Sequence, residues 1–140
     1  MKFSTKGRYG LTIIVALGKQ YGEGPIALRQ IAAEYNLSEA YLEQIVSPLR
    51  NAGLVKSVRG AYGGYMLSKT PDEITAGDVI RVLEGPIQIV EGIEDEAPSQ
   101  RELWMRIRDA VKNVLDTTTI EDLAKYTEED PENTGYMFYI

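Results

Sequence analysis

Residues 37–67 decide the fold, and they read LSEAYLEQIVSPLRNAGLVKSVRGAYGGYML. The first part has a helical stripe, because the apolar residues Leu42, Ile45, Val46 and Leu49 recur at i, i+3, i+4 and i+7. A serine precedes this helix as its predicted N-cap, and two short strands around a glycine-rich turn follow it. Such a helix and hairpin are typical of a protein that places one helix in the DNA major groove and a β-wing beside it.

The exposed face of this third predicted helix carries side chains that can read bases. Gln44 can pair with adenine, and Glu43 can accept a hydrogen bond from a cytosine amino group. Tyr41 can donate to a phosphate, and Ser38 and Ala40 lie on the same face near the start of the helix. The alternative is that these residues form a solvated helix face, which is common.

The predicted hairpin has the composition of a DNA-contacting wing. Its glycines let the tip approach a nucleic-acid backbone closely, and Arg59 beside Gly60 can enter a narrow minor groove. Tyr62 can contact phosphate or sugar. The alternative is an ordinary flexible hairpin with a solvated arginine.

The start of the first predicted helix offers phosphate contacts through side chains and backbone amides. The alternative is a capped and charged helix start that binds nothing. The residues assigned to DNA here, together with a basic residue near the end of the third helix, are Ser4, Thr5, Lys6, Arg8, Tyr9 and Arg50.

Periodicity and capping signals predict the remaining elements. Two capping boxes, Thr75 with Asp78 and Thr118 with Glu121, should open the fourth and sixth helices. Pro48 lacks a backbone donor and should bend the third helix or loosen its second half. The expected helices span residues 5–21, 28–35, 39–52, 75–83, 98–116 and 118–124, and the expected strands span residues 54–58 and 65–67.

These elements predict a mainly α fold with a small β-hairpin wing (α+β), a winged helix-turn-helix with a long dimerisation helix. The first expected segment is a DNA-binding domain with wing and fourth helix, and the second is a loop that lacks cysteine. The third is a dimerisation helix with a short helix, and the last is an acidic C-terminal tail with an apolar end. The four segments span residues 1–83, 84–99, 100–127 and 128–140.

The long fifth helix has a wide apolar face, and a single small domain has few other apolar residues that could cover it. The predicted cover is the same helix of a second subunit, which would make the protein a homodimer. The alternative is that this helix packs back on its own domain. The residues assigned to the dimer contact are Leu103, Trp104, Ile107, Ala110, Val111, Val114 and Leu115.

Composition favours a binding protein over an enzyme. The 140 residues include neither cysteine nor histidine, which excludes disulfides and thiolate metal sites and removes the common catalytic bases and nucleophile pairs. We therefore expect no catalytic residue, no metal and no cofactor. The N-terminal stretch lacks the apolar core of a signal peptide, which fits a cytoplasmic protein without a membrane segment.

The net charge of −6 hides an uneven distribution. Residues 1–70 hold nine Lys or Arg and four Glu, whereas residues 71–140 hold six basic and seventeen acidic side chains. This asymmetry suggests one half that faces nucleic acid and one that faces something else. The alternative is that both charge patterns simply keep the chain in solution.

Several motifs resemble those of the Rrf-two-type winged-helix transcription regulators. The matching motifs are MKFSTKGRYG (1–10), YLEQ (41–44), LRNAGLV (49–55) and VRGAYGGY (58–65). The similarity to members that repress cysteine metabolism in low-GC Gram-positive bacteria extends along the chain through ITAGD (74–78), LEGP (83–86), LWMRIRDA (103–110) and YMFYI (136–140).

The resemblance implies a homodimer that binds an inverted repeat of double-stranded DNA upstream of sulfur-metabolism genes. Family members read DNA through the third helix and the wing, which assigns Glu43, Gln44 and Arg59 here. Many relatives bind an iron–sulfur cluster through three cysteines in the loop after the fourth helix. The corresponding residues 86–99 contain no cysteine, so we expect no cluster.

The resemblance also implies cysteine synthase as a protein corepressor, and our hypothesis is that O-acetylserine breaks the complex. Cysteine synthases accept the C-terminal Ile of serine acetyltransferase in their active site, and a segment of similar kind closes this sequence. The alternatives are that this segment packs on the dimer core, and that the chain is a winged-helix protein-interaction module or a small-ligand-responsive regulator. The residues assigned to the partner are Tyr136, Met137, Phe138, Tyr139 and Ile140.

Overall fold

The computed structural model describes residues 2–89 and 91–126, so the predicted tail over residues 128–140 lies outside the described residues. These residues form the predicted fold class, a mainly α structure with a two-stranded hairpin wing. No helix in these two ranges is long and apolar enough to cross a membrane. In chain order the elements are α1 (Thr5–Lys19), α2 (Leu28–Tyr35), α3 (Glu39–Asn51), β1 (Val55–Val58), β2 (Gly64–Leu67), a 3-10 turn (Pro71–Glu73), α4 (Ala76–Glu84), a second 3-10 turn (Ile93–Asp95), α5 (Pro98–Thr117) and α6 (Ile120–Ala124).

The helix-turn-helix consists of α2 and α3. Asn36 ends α2 in the left-handed conformation (φ 54°, ψ 48°), which a short polar side chain tolerates better than a branched one. The Ser38 Oγ then caps α3 by accepting a hydrogen bond from the Tyr41 amide at 3.1 Å. The predicted bounds of α2 and the predicted cap of α3 are both confirmed.

Pro48 lies inside α3 without ending it. The carbonyl of Gln44 loses its helical donor, yet the helix continues to Asn51 and the Ala52 amide donates to the Pro48 carbonyl at 3.0 Å. Leu49, which follows the proline, is fully buried. Burial of the apolar stripe therefore keeps the second half of α3 helical rather than loosened.

The hydrophobic core surrounds α1, which approaches its neighbours closely through two glycines. A Cβ atom on Gly10 would lie 2.0 Å from the Leu83 Cδ1 of α4, and one on Gly18 would lie 2.7 Å from the Ile120 Cγ2 of α6. Small residues at these positions let three helices meet without a gap. The members of the core from α1 and α3 are Ile13, Ile14, Leu17, Leu42, Ile45, Val46 and Leu49, each at most 2% exposed.

The connection between α5 and α6 differs from the prediction by one residue. Thr119 is the N-cap of α6: its Oγ1 accepts from the Asp122 amide, and the Asp122 carboxylate accepts from the Thr119 amide, both at 3.0 Å. Thr118 instead ends α5, where its hydroxyl donates back to that helix and its carbonyl accepts from the Ala76 amide at 2.8 Å. The predicted Thr118–Glu121 capping box is therefore wrong, because Thr118 already bonds to two other elements.

The last two helices take different positions relative to the core. α6 packs on α1 and inserts the fully buried Ile120, although the sequence groups it with the dimerisation helix. α5 lies against α4, where the Arg81 Nη1 is 2.6 Å from an Asp116 carboxylate oxygen. None of the 20 residues of α5 is buried.

The Thr75–Asp78 capping box that opens α4 is confirmed.

The wing is anchored to the segment before α2. Strands β1 and β2 pair antiparallel with Ser57 opposite Tyr65. The Ile26 amide donates to the Tyr65 carbonyl at 2.9 Å, and the Tyr65 amide donates to the Ile26 carbonyl at 2.8 Å. Gly64 lies so close that a Cβ atom there would be 2.2 Å from the Ile26 carbonyl oxygen. Ile26 thus adds a third, one-residue strand to the wing.

We predict that Gly64→Ala destabilises the protein by about 1–3 kcal/mol, as overpacking typically does. The new methyl group would meet the backbone of Ile26, which cannot rotate away as a side chain can. Urea unfolding followed by circular dichroism measures the change. Ser57→Ala, at an exposed position of the opposite strand, is the control and should cost less than about 1 kcal/mol. Equal stability of the two variants would contradict the anchoring described here.

Candidate nucleic-acid interface

The outward face of α3 presents most of the side chains predicted to read bases. Ala40, Glu43 and Gln44 are exposed, and Tyr41 is half-buried. Ser38 is exposed as well, but its hydroxyl already accepts the capping hydrogen bond from the backbone. Because Gln44 is exposed, its amide donor and its carbonyl acceptor can both reach a base edge.

Glu43 is joined to the wing by a hydrogen bond that sequence reasoning missed. The Tyr65 hydroxyl donates to the two Glu43 carboxylate oxygens at 3.2 and 3.4 Å. The pKa of the Tyr65 hydroxyl is raised, first by burial and then by the negative charge of Glu43. Glu43 keeps further acceptor sites, because a carboxylate can accept about four hydrogen bonds. The two residues lie 22 positions apart, so no local pattern could have paired them.

The start of α1 lies beside the outward face of α3. The rings of Tyr9 and Tyr41 meet edge to face, with centroids 6.1 Å apart and planes at 89°. A shallow depression between the two helices brings a cation from α1 to the polar face of α3. The residues that line it are Lys6, Ala40, Glu43, Gln44, Ser47 and Pro48.

Ser4 forms hydrogen bonds with Glu84 that the sequence did not indicate. Its Oγ accepts from the Gly7 amide at 3.2 Å and donates to Glu84, and its backbone amide donates to the Glu84 Oε1 at 2.7 Å. The Glu84 carboxylate also interacts favourably with the positive N-terminal end of α1. The Ser4 hydroxyl is therefore occupied, whereas Thr5 and Arg8 are exposed.

The tip of the wing projects away from the core. Tyr62 is 95% exposed, and Arg59 is exposed and forms no ion pair within the described ranges. Gly60 has φ 115° and its carbonyl accepts from the Gly63 amide at 3.0 Å, which closes a tight turn. Arg50 is also exposed, in the last turn of α3. A free cation and an exposed aromatic ring at a glycine-rich tip suit contact with a nucleic-acid backbone.

A second surface, on α5, carries the residues predicted to form a dimer. Leu103 is 47% and Val114 61% exposed, and Ile107 and Ala110 are exposed too. Trp104, Val111 and Leu115 are half-buried. The Trp104 Nε1 is buried without a hydrogen-bond acceptor among the described residues. An exposed apolar stripe along one helix suits a contact with another protein surface.

Similar proteins and structures are transcriptional regulators. The chain is 71% identical to the HTH-type transcriptional regulator CymR of Bacillus subtilis (strain 168) over 140 residues, 100% of both chains. The structure of CymR (YrzC), the global cysteine regulator of B. subtilis, is also 71% identical and matches 91% of this chain and 99% of that chain with a TM-score of 0.86. A putative transcriptional regulator from Listeria innocua is 61% identical and matches 100% of this chain and 97% of that chain with a TM-score of 0.85. All three relatives are named as regulators, in agreement with the prediction of a regulator.

The family model described as "Rrf2: Iron-dependent Transcriptional regulator" matches residues 3–126. Iron bound through thiolate or imidazole does not fit this chain, because it contains neither cysteine nor histidine. Among the residues the structure describes, no cluster of acidic side chains could hold a metal ion either. The match nevertheless spans most of the chain and agrees with the fold and the relatives. The chain belongs to the Rrf2 family of transcriptional regulators.

Proposed function

We propose that this protein is a dimeric, sequence-specific DNA-binding repressor of genes for cysteine and sulfur metabolism. The observations that carry the proposal are that Lys6 of α1 and the outward face of α3 line one depression, and that the wing is hydrogen-bonded to α3 through Tyr65 and Glu43. We infer that these three parts form one surface. We call it the reading surface. The metabolic assignment rests on the 71% identity to a protein named as the global cysteine regulator of B. subtilis. The residues of the reading surface are Lys6, Ala40, Glu43, Gln44, Arg59 and Tyr62.

Electrostatics support contact with DNA despite the acidic chain. The excess of basic residues lies in residues 1–70, which include the whole reading surface, and the acidic excess lies in residues 71–140. Phosphate contacts by lysine and arginine release counterions, so affinity should fall steeply with salt. Glu43 would repel phosphates, but its carboxylate is held by Tyr65 and is suited to accept from a cytosine amino group.

A dimer would match the symmetry of an inverted repeat. Two reading surfaces related by a two-fold axis can occupy half-sites about 34–36 Å apart, one turn of DNA. The apolar face of α5 lies on a helix that leaves the winged-helix body and contacts it chiefly through α4. Pairing of this helix with its copy would cover the exposed apolar side chains and place the two reading surfaces at a fixed separation.

A titration of a labelled inverted-repeat promoter fragment at two salt concentrations tests the function. We expect affinity to fall by on the order of a thousandfold or more between 50 and 200 mM salt, because a dimer would make six or more phosphate contacts. Absence of binding to the repeat would favour the alternative of a protein-interaction module. Binding with no salt dependence would contradict a phosphate-dominated contact.

Arg59→Ala should weaken binding to the same fragment by about tenfold, since an arginine in a narrow minor groove contributes on the order of 1–3 kcal/mol. Lys19→Ala is the matched control, because Lys19 is an exposed cation at the opposite end of α1 from the reading surface. Fluorescence anisotropy gives both affinities. Equal losses in the two variants would mean that Arg59 acts only through net charge.

Val114→Glu should convert the dimer to a monomer at micromolar concentration, because it places a charge in an apolar contact. Analytical ultracentrifugation measures the mass. The neighbouring exposed Asn113→Glu adds the same charge on the same helix and should leave a dimer. A Val114→Glu protein that remains dimeric would place the subunit contact elsewhere.

We further propose that the repressor works with cysteine synthase and that O-acetylserine relieves the complex. The segment we assign to this partner, residues 136–140, lies outside the described residues. An apolar segment of this kind could enter a site that binds an amino acid, and a substrate would then compete with it.

Deletion of Tyr139 and Ile140 should abolish the complex with cysteine synthase while DNA binding by the repressor alone is unchanged. Pull-down with purified cysteine synthase, followed by the same DNA titration, separates the two effects. A truncated protein that still binds the enzyme would reject this segment as the contact.

A further inference from the structure

A depression between the end of α4 and the middle of α5 lies apart from the reading surface. Its volume is about 580 Å³, within the rough range of 300–1,000 Å³ found for small-molecule sites. Its wall combines charged side chains from two helices with an apolar stretch from the segment that follows α4. The principal residues are Arg81, Arg108, Lys112, Asp109, Pro86 and Ile87.

The depression carries positive charge, although it lies in the acidic half of the chain. Residues 71–140 contain six basic side chains against seventeen acidic ones, and three of the six line this single depression. Arg108 lies 3.2 Å from its neighbour Asp109, which offsets one of the positive charges. Lys112 forms no ion pair in the part of the chain that the structure describes. Arg81 is paired in the same way with Asp116, so the depression keeps a net positive charge of one, that of Lys112, inside an acidic half.

One side-chain nitrogen of Arg81 forms no hydrogen bond among the described residues. Its Nη1 is 2.6 Å from Asp116, whereas its Nη2 is buried and has no hydrogen-bond acceptor among the described residues. The pKa of the Asp116 carboxyl is lowered, first by the hydrogen bond from Arg81 and to a smaller extent by the charge of Lys112. A buried guanidinium N–H without an acceptor is unfavourable, so Arg81 would gain from an added acceptor that reaches this nitrogen.

We propose that this depression binds a small anion that carries a carboxylate or phosphate group. Two arginines and one lysine offer several N–H donors, and a guanidinium matches a carboxylate or a phosphate with two parallel hydrogen bonds. Pro86 and Ile87 supply the apolar contact that a small organic acid would use. The site contains no metal ligand set and differs in chemistry from a cluster site.

The depression is linked to the start of α1 through the end of α4, and the bearing of this link on DNA contact rests on the proposed function. Gly85 lines the depression and follows Glu84, whose carboxylate holds both the amide and the hydroxyl of Ser4 at the start of α1. α4 also packs on α1 and α3. An anion that shifts the end of α4 would therefore change how α1 and α3 meet DNA, which is a coupling between two sites.

Calorimetric titration of the full chain with sodium succinate and with sodium phosphate tests the site, at ionic strength held constant with sodium chloride. We expect saturable binding of at least one of them, with one site per protomer, and the preferred probe identifies the chemical group. The double variant Arg108→Gln, Lys112→Gln should lose at least about tenfold in affinity, or about 1.4 kcal/mol. Arg106→Gln, on the same helix but outside the depression, should stay within about twofold of wild type.

Two results would overturn the site: no saturable binding of either probe, or an equal loss in the Arg106→Gln control. Neither result depends on DNA, so the failure of this inference is distinguishable from failure of the proposed function. In a second arm, saturating probe should change the affinity for the promoter fragment at least about twofold in wild type and not in the double variant. An unchanged DNA affinity with a bound anion would overturn the connection through Glu84.

Discussion

The close approach of α1 to α4 and α6 is the constraint on which the rest of the structure depends. Gly10 and Gly18 have no side chain to separate the helices, and the space is filled by Leu83 and Ile120. With α1 fixed, its first turn lies beside α3 and its middle supports the buried stripe of that helix. The position of the surface proposed to bind DNA thus depends on how closely α1 packs against the other helices.

α4 stands between the two surfaces of the protein and contacts both. At its C-terminal end Glu84 holds Ser4, and one turn earlier Arg81 pairs with Asp116 of α5. Surface ion pairs of this kind contribute little to stability, so their importance here is geometric. The Arg81–Asp116 pair joins α4 to the last turn of α5, and the arrangement of two subunits that would meet through α5 depends on that junction.

Much of the fold could be predicted because local signals agree with the tertiary structure. The α3 stripe, the Asn36 turn, the Ser38 cap and the wing all follow from spacing and residue type. The prediction was wrong where a long-range contact determines the local structure. Thr118 accepts a hydrogen bond from the Ala76 amide, and Thr119 caps α6 in its place. The candidate site was incomplete for the same reason. Glu84 and Tyr65 reach their partners from 80 and 22 residues away, which no local pattern records.

The bonds of Tyr65 have a consequence for the entropy of recognition. Its backbone joins the wing to Ile26 and its hydroxyl joins the wing to Glu43 of α3, so three segments are held together before any ligand arrives. A flexible wing must become ordered when it contacts DNA, and the conformational entropy that it loses lowers the affinity. Here the base of the wing is already ordered, and the exposed side chains of Arg59 and Tyr62 at the tip have room to change rotamer. The protein would therefore discriminate among sites by rigid fit at α3 and by adaptation at the tip.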